Sequence, residues 1–278
     1  MTYAAKRLVR RKSAVLGLGL VAAFGLVALL VPFLPLQEPN EIDTGNRLKP
    51  PLTSGHTLGT DEFGRDILSR LAWGSRPSLV AGVVSALLSM GVGVPLGLMA
   101  GYLRGPTDHL LMRAIDIVMA FPYILLAIAL VAAFGPGIRN ATLALSIVGV
   151  PLYARLTRGT VLSIREREYV DAARALGLWE VRIMWRHVLP NAFPPVIVAT
   201  TLDIGFKIVA TAGLSFLGLG VQPPTADWGS MLASGRNFVG LASHVATFPG
   251  LAILLVTLGF NLFGDGLRDT LDPTMRSW

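Results

Sequence analysis

The chain holds few groups suited to catalysis, and their spacing excludes most reactions. It has no cysteine, which removes disulfides and thiolate metal sites. Its four histidines, at 56, 109, 187 and 244, share no metal-ligand spacing. Its four lysines, at 6, 12, 49 and 207, never follow a glycine, so the G-x-x-x-x-G-K-[ST] loop that cradles phosphates is missing. Gly213-Leu214-Ser215-Phe216 has the outline of an intramembrane serine protease with His244 as its base. With 30 glycines such a match is cheap, and Ser215 falls at the outer end of its segment, exposed where that chemistry needs an excluded site. Asp61, Glu62, Arg65 and Asp66 cluster with Gly59 and Gly64, but they lack the D-x-[DN]-x-[DN]-G spacing and closing glutamate of a calcium loop. No residue is expected to be catalytic or to bind a metal or cofactor. Two groupings remain. One is a polar, arginine-rich insertion, 155–191, holding DAARALG (171–177) and HVLP (187–190). The other is Asp203 and Lys207, four apart in an apolar segment, where a charge must pair or face a water-filled path. Both readings of that pair, structural and functional, stand.

The elements that carry these groups are set by composition. At 53% hydrophobic and 15% charged residues, the 278-residue chain is too apolar for a soluble domain. A span needs roughly 20 mostly apolar residues, and six segments qualify: 13–33, 78–102, 117–134, 141–156, 193–214 and 245–263. The period-2 alternation of a β-barrel is missing, so the fold class is all-α, a polytopic helical membrane protein. Placing both termini inside puts sixteen of the 24 Lys and Arg on inner segments and seven on outer ones, with Lys207 inside a span. This asymmetry accounts for the net charge of +7 without nucleic acid. The first apolar run is longer than a signal-peptide core and lacks a small-x-small cleavage site, so it reads as a retained anchor.

The chain divides near residue 77. Residues 1–77 hold the anchor and a proline-rich outer elbow, in which Arg65 and Arg70 are expected near headgroups and Trp73 as an interface anchor. Residues 78–278 hold five spans and the insertion. Gly93, Gly97 and Gly101 recur on one helical face, a spacing that lets backbones approach. Pro95 and Pro122 should kink their helices. In the insertion, 165–176 favours a helix that Gly177 should stop. A second helix over 179–188 should run until Pro190 and return the chain to the bilayer. Ala172 and Ala173 are small enough for a groove in another protein, where Asp171 would meet a basic residue. The bland alternative is a solvated hairpin held by pairs such as Glu168 with Arg174 or Glu180 with Arg182. Trp228 reads as an interface anchor or as part of a docking surface.

Asp171, Ala172 and Ala173, Gly177 after three residues, and the closing HVLP resemble the EAA loop of permease subunits of ATP-driven (ABC) importers. Four further stretches resemble one subfamily, the C-type permeases of dipeptide and oligopeptide importers: HTLGTDEFGRDILSRLAWGSRPSL (56–79), DIVMAFPYILLAIALVAAFGPG (116–137), LSFLGLGVQPPTADWGSML (214–232) and FNLFGDGLRDTLDPTMR (260–276). They cover most of the chain in the right order. Three positions depart from the pattern: Asp171 stands for the usual Glu, His187 for a frequent Ile, and Thr211 for a Glu often found before LSFLG.

The resemblance implies a type I importer permease in a bacterial or archaeal cytoplasmic (inner) membrane, with six spans, both termini cytoplasmic and no ATPase of its own. ATP and Mg would be bound by partners. Those partners are a second homologous permease, two ATPase subunits and an extracytoplasmic substrate-binding protein, with membrane lipid and no nucleic acid. Coupling to the ATPase falls to Asp171, Ala172, Ala173, Gly177, Leu189 and Pro190. A translocation path draws on Asp203, Lys207 and Thr211. Di- or oligopeptides are the expected substrates, and nickel chelates, glutathione or sugars the alternatives. An ion-coupled transporter using Asp203 and Lys207 would leave DAARALG unexplained.

Overall fold

A computed structural model describes residues 11–271. Lys6, Arg7 and Arg10 and the end of the 260–276 stretch, with Arg276, lie outside the described residues. Ten α-helices run through them: α1 Lys12–Leu30, α2 Ile67–Leu103, α3 Gly105–Met119, α4 Tyr123–Phe134, α5 Ile138–Arg165, α6 Glu168–Ala175, α7 Glu180–Ile183, α8 Leu189–Phe216, α9 Trp228–Gly235 and α10 His244–Leu271. Among the described residues the only extended pairings are two isolated bridges, Thr53 with His56 and Thr60 with Asp66. The all-α class holds.

Among the described residues four helices are long and apolar enough to cross a membrane: Lys12–Phe33, Ile67–Leu103, Glu180–Phe216 and His244–Leu271. The pair α3 and α4, bent by 87°, makes a fifth if it is one span. The segment expected at 141–156 lies within α5, whose Arg139, Asn140, Arg155 and Arg158 leave it more polar than its neighbours. The bend falls at Phe121 and Pro122, where proline has no N–H to continue the ladder. Pro95 has the opposite outcome. It sits inside α2, which continues past it as one 37-residue helix. Asp66 caps the start of α2 by accepting from Ser69 N at 2.8 Å, so this helix begins well before position 78 and crosses position 77 unbroken.

The core is α2, α5 and α8, with α1 and α10 on one flank and α4 on the other. Lipid offers no hydrophobic drive between helices, so close packing and polar contacts must hold them together. The glycine row supplies the packing. A Cβ on Gly93 would lie 2.6 Å from both Tyr153 Cβ and the Val150 carbonyl, and one on Gly101 2.9 Å from the Arg158 carbonyl. Gly97 meets the Ala154 carbonyl in the same way. The α2 backbone therefore lies directly on α5, as the spacing of four predicts. A second crossing, Gly17 on Gly259, seats α1 against α10, and Arg11 pairs with Asp269.

Candidate functional site

The insertion forms a compact hairpin seated on the ends of the core helices. Its stop signal is explicit: Gly177 has φ +75°, Gly177 N donates to Arg174 O at 2.8 Å, and Leu178 N donates to Ala173 O at 3.2 Å. This is the paired closure that ends a helix with a left-handed residue. The hairpin splits the DAA triplet between two faces. Ala173 is buried against Leu98, Tyr102, Val161 and Ile183, whereas Asp171 and Ala172 point outward. Leu189 is half-buried beneath the hairpin and Pro190 is exposed.

The pairs sketched from sequence give way to a network around Arg174. Its NH1 donates to Asp171 at 2.9 Å and its Nε to Glu180 at 3.1 Å. Glu180 also accepts from the Tyr102 hydroxyl, and Arg165 donates to the Tyr102 carbonyl at 2.5 Å. Tyr102 thereby ties the hairpin to the end of α2. The second helix does not stop at Pro190. α7 passes into a π-turn, Met184–Val188, and straight on into α8. Leu189 N reaches back five residues to Met184 O, a widened turn that gives the following proline ring room inside a continuous helix. Several large apolar side chains of the hairpin stay outside: Leu176 is 82% exposed, Trp179 83% and Val181 65%. Large apolar side chains left exposed in this way make the hairpin a candidate contact surface.

The second grouping lies in mid-span. Lys207 is fully buried and Asp203 nearly so, with Nζ and Oδ2 3.6 Å apart. Nζ donates to Ser85 O at 2.9 Å, to Ser89 Oγ, and to Leu145 O at 3.1 Å, so it joins α8 to both α2 and α5. Asp203 Oδ2 accepts from Tyr153 OH at 2.9 Å. Thr211 is buried and returns its hydroxyl to Lys207 O at 2.8 Å. Asp203 also lines a cleft of about 610 Å³ between α5, α8 and the α3–α4 bend. Lys207 and Thr211 are absent from its wall. Ser85 and Ser89 continue the four-residue row of Gly93, Gly97 and Gly101, a signal that could have found them, whereas Tyr153 carries none.

Three other expectations need correction. Trp228 is neither anchor nor docking surface: it is wholly buried, donates to Leu71 O at 2.9 Å and meets Phe24 edge-to-face at 5.5 Å. Asp227 caps α9 beside it and accepts from Ser78 Oγ at 2.7 Å. Arg65 and Arg70 do not reach out to headgroups. Arg65 Nε donates to Asp61 at 2.6 Å, and buried Arg70 donates to Pro39 O at 2.9 Å. Asp61 also accepts the backbone N–H groups of Phe63 and Arg65, which satisfies Asp61 from its own chain, while Glu62 Oε2 is buried without a partner. Ser215, expected to be exposed, is buried and accepts from Val221 N at 3.3 Å, while His244 belongs to a separate network, 3.4 Å from Thr60 O.

Comparison with known proteins gives consistent matches. Residues 93–277 match the family described as the binding-protein-dependent transport system inner membrane component. Residues 1–51 match the N-terminal TM domain of oligopeptide transport permease C. The dipeptide transport system permease protein DppC of Alkalihalophilus pseudofirmus is 46% identical over 98% of this chain and 89% of that one. The glutathione transport system permease protein GsiD of Pectobacterium atrosepticum is 46% identical over 88% and 81%. The probable D,D-dipeptide transport system permease protein DdpC of Escherichia coli is 46% identical over 89% and 83%. A chain of the inward-facing MetNI methionine ABC transporter shares the fold, with a TM-score of 0.60 at 20% identity over 73% of this chain and 97% of that one.

Proposed function

This chain belongs to the family of binding-protein-dependent transport system inner membrane components, and we propose that it is a peptide-specific permease subunit within it. It is a membrane-embedded permease of an ABC importer. Di- and oligopeptides are its substrate class in this reading, supported by the relatives' printed names. The relative named for glutathione fits the same class, since glutathione is itself a tripeptide with a γ-linkage.

The observation that carries the coupling assignment is the hairpin: a helix held on the core by Ala173 and Tyr102 and ended by Gly177, while Leu176, Trp179 and Val181 stay bare. An ATPase subunit covers that face, with Asp171, Ala172, Leu189 and Pro190 at its margin. A second permease, two ATPase subunits and an external binding protein complete the transporter, and ATP and Mg are held by the ATPases. Both termini and the hairpin are cytoplasmic, in a bacterial or archaeal inner membrane. The α3–α4 pair and α5 supply the third and fourth of six spans. Residues 1–77 act as anchor and elbow, and 78–278 as the transporting bundle, with α2 bridging the two. Asp203 contributes to the path, while Lys207 and Thr211 brace it. The ion-coupled alternative loses ground because Lys207 is held by three acceptors and is not free to relay a proton.

The test is purification of this chain from its native membrane, with identification of its companions and an assay of ATP hydrolysis with and without peptides. The expected result is recovery of ATPase subunits and a second permease, with peptide-stimulated hydrolysis. Recovery of the chain alone, transporting without ATP, would falsify the assignment.

A further inference from the structure

The buried pair in α8 is unequal in a way that its i, i+4 spacing does not reveal. An ammonium group has three donors, and all three on Lys207 are engaged by Ser85 O, Ser89 Oγ and Leu145 O. At 3.6 Å the Asp203 carboxylate feels the positive charge of Lys207 but receives no proton from it. Among the described residues only Tyr153 donates to Asp203, although a carboxylate has about four acceptor positions. A carboxylate that is 7% exposed and short of donors is costly in a bilayer unless something else supplies them.

What lies in front of it is the cleft of about 610 Å³. Asp203 is the only ionisable carboxylate or cation in its wall, and Tyr123 is the other polar side chain there. The Tyr123 hydroxyl is buried with no hydrogen-bond partner. Its ring is held edge-to-face against Phe206 at 5.1 Å. Met119, Phe121, Leu152, Leu202 and Phe206 make much of the remaining wall apolar.

We propose that Asp203 and Tyr123 form an intramembrane subsite for a primary ammonium group, the α-amino end of a peptide in transit. The inference rests on the importer reading above and names a recognition element within it. A primary ammonium brings three donors, to an acid that lacks them and a phenol oxygen that has no partner. The apolar wall accepts the adjoining side chain. Lys207 is then a fixed positive group 3.6 Å from Asp203 that does not occupy its acceptor positions. An anionic solute is repelled by the carboxylate, and a neutral one leaves the acid unsatisfied.

The experiment uses the complete complex recovered with this chain, in nanodiscs and without binding protein, so that the binding protein's own preference does not enter. Calorimetry compares Ala-Phe amide, a single cation, with its uncharged N-acetyl form. The cation should bind about tenfold or more tightly in the wild-type complex, as charged hydrogen bonds of this kind provide. Asp203→Asn should bring the ratio to about one, Asp203→Glu should retain part of it, and Tyr123→Phe should lower it severalfold. Equal binding of the two probes to wild type, or a ratio unchanged in Asp203→Asn, overturns the subsite. Loss of the second permease from the Asp203→Asn complex, with the ratio intact in Tyr123→Phe, also overturns it and makes the carboxylate an interface residue. Peptide-stimulated ATP hydrolysis by wild type reads the importer assignment separately. Its absence alongside an intact amine preference would remove the peptide substrate and leave the subsite, and the reverse pattern would remove only the subsite.

Discussion

The elbow at residues 34–66 and the hairpin at 165–191 are both polar and outside the apolar runs, yet they treat their charges in opposite ways. In the elbow, Asp61 is 4% exposed and takes Arg65 together with two backbone N–H groups, while Arg70, in the first turn of α2, is buried and donates back to Pro39 O. In the hairpin, Asp171 and Glu180 are largely exposed, and the apolar residues around them face outward. A segment that satisfies its own polar groups and buries them is finished as a structure. One that leaves tryptophan and leucine in water is finished only by a partner.

The strongest way to sharpen that contrast is to remove one acid from each. Asp61→Ala leaves two buried guanidinium groups short of a partner and should cost about 3–5 kcal/mol, whereas Asp171→Ala breaks an exposed pair and should cost under about 1 kcal/mol. Thermal unfolding of the two purified variants reads the difference, and similar losses would erase the distinction. Next in size, Trp179→Ala should weaken association with the ATPase subunit by about 2 kcal/mol, roughly 30-fold. The melting temperature of the chain itself should hardly move; a large drop would mean that Trp179 supports the fold instead. Gly177→Ala should cost about 1–2 kcal/mol through backbone strain alone, since a Cβ there meets nothing within 4 Å. Amide exchange at Leu178 should report it, with protection unchanged elsewhere.

The smallest effect concerns Asp43, which caps the short turn Thr44–Asn46 in the elbow. The side chain of Asn46 and the backbone N–H of Gly45 hold its carboxyl below the ordinary value of 3.8. A carboxylate lowered in the folded state lends stability that is present above its unfolded value and is lost as pH falls through the lowered one. Local exchange in the turn should therefore rise only in the acid range below about pH 4, and Asp43→Ala should abolish that pH dependence by raising exchange at neutral pH to the acid level. A response confined to neutral pH would overturn the assignment to Asp43.

Features that depend on local backbone rules could be read from the sequence, and features that depend on distant partners could not. Gly93, Gly97 and Gly101 announce a helix contact because a missing Cβ has no other use at that spacing, and Gly177 marks a stop because its φ is one that other residues resist. Proline proved ambiguous. Pro122 breaks its helix, Pro95 does not, and Pro190 is absorbed by a π-turn that no residue spelling marks. Trp228 was misread because an aromatic beside prolines suits an interface, while its burial rests on Leu71 and Phe24, far away in the chain. In the same way, i, i+4 spacing brought Asp203 and Lys207 together, but the three acceptors that separate their roles come from α2 and α5.

The joining of α7, the π-turn and α8 into one run, Glu180–Phe216, has a mechanical side. At 1.5 Å per residue, 37 residues make a strut of about 55 Å. Tilting it by about ten degrees around Lys207, about 40 Å from Glu180 and about 14 Å from Phe216, would swing the first tip by about 7 Å and the second by about 2 Å. The fulcrum of that lever lies near Lys207, where three hydrogen bonds hold it to its neighbours. A push at Glu180 would thus arrive on the far side of the membrane as a smaller motion in the opposite direction, carried through the π-turn Met184–Val188.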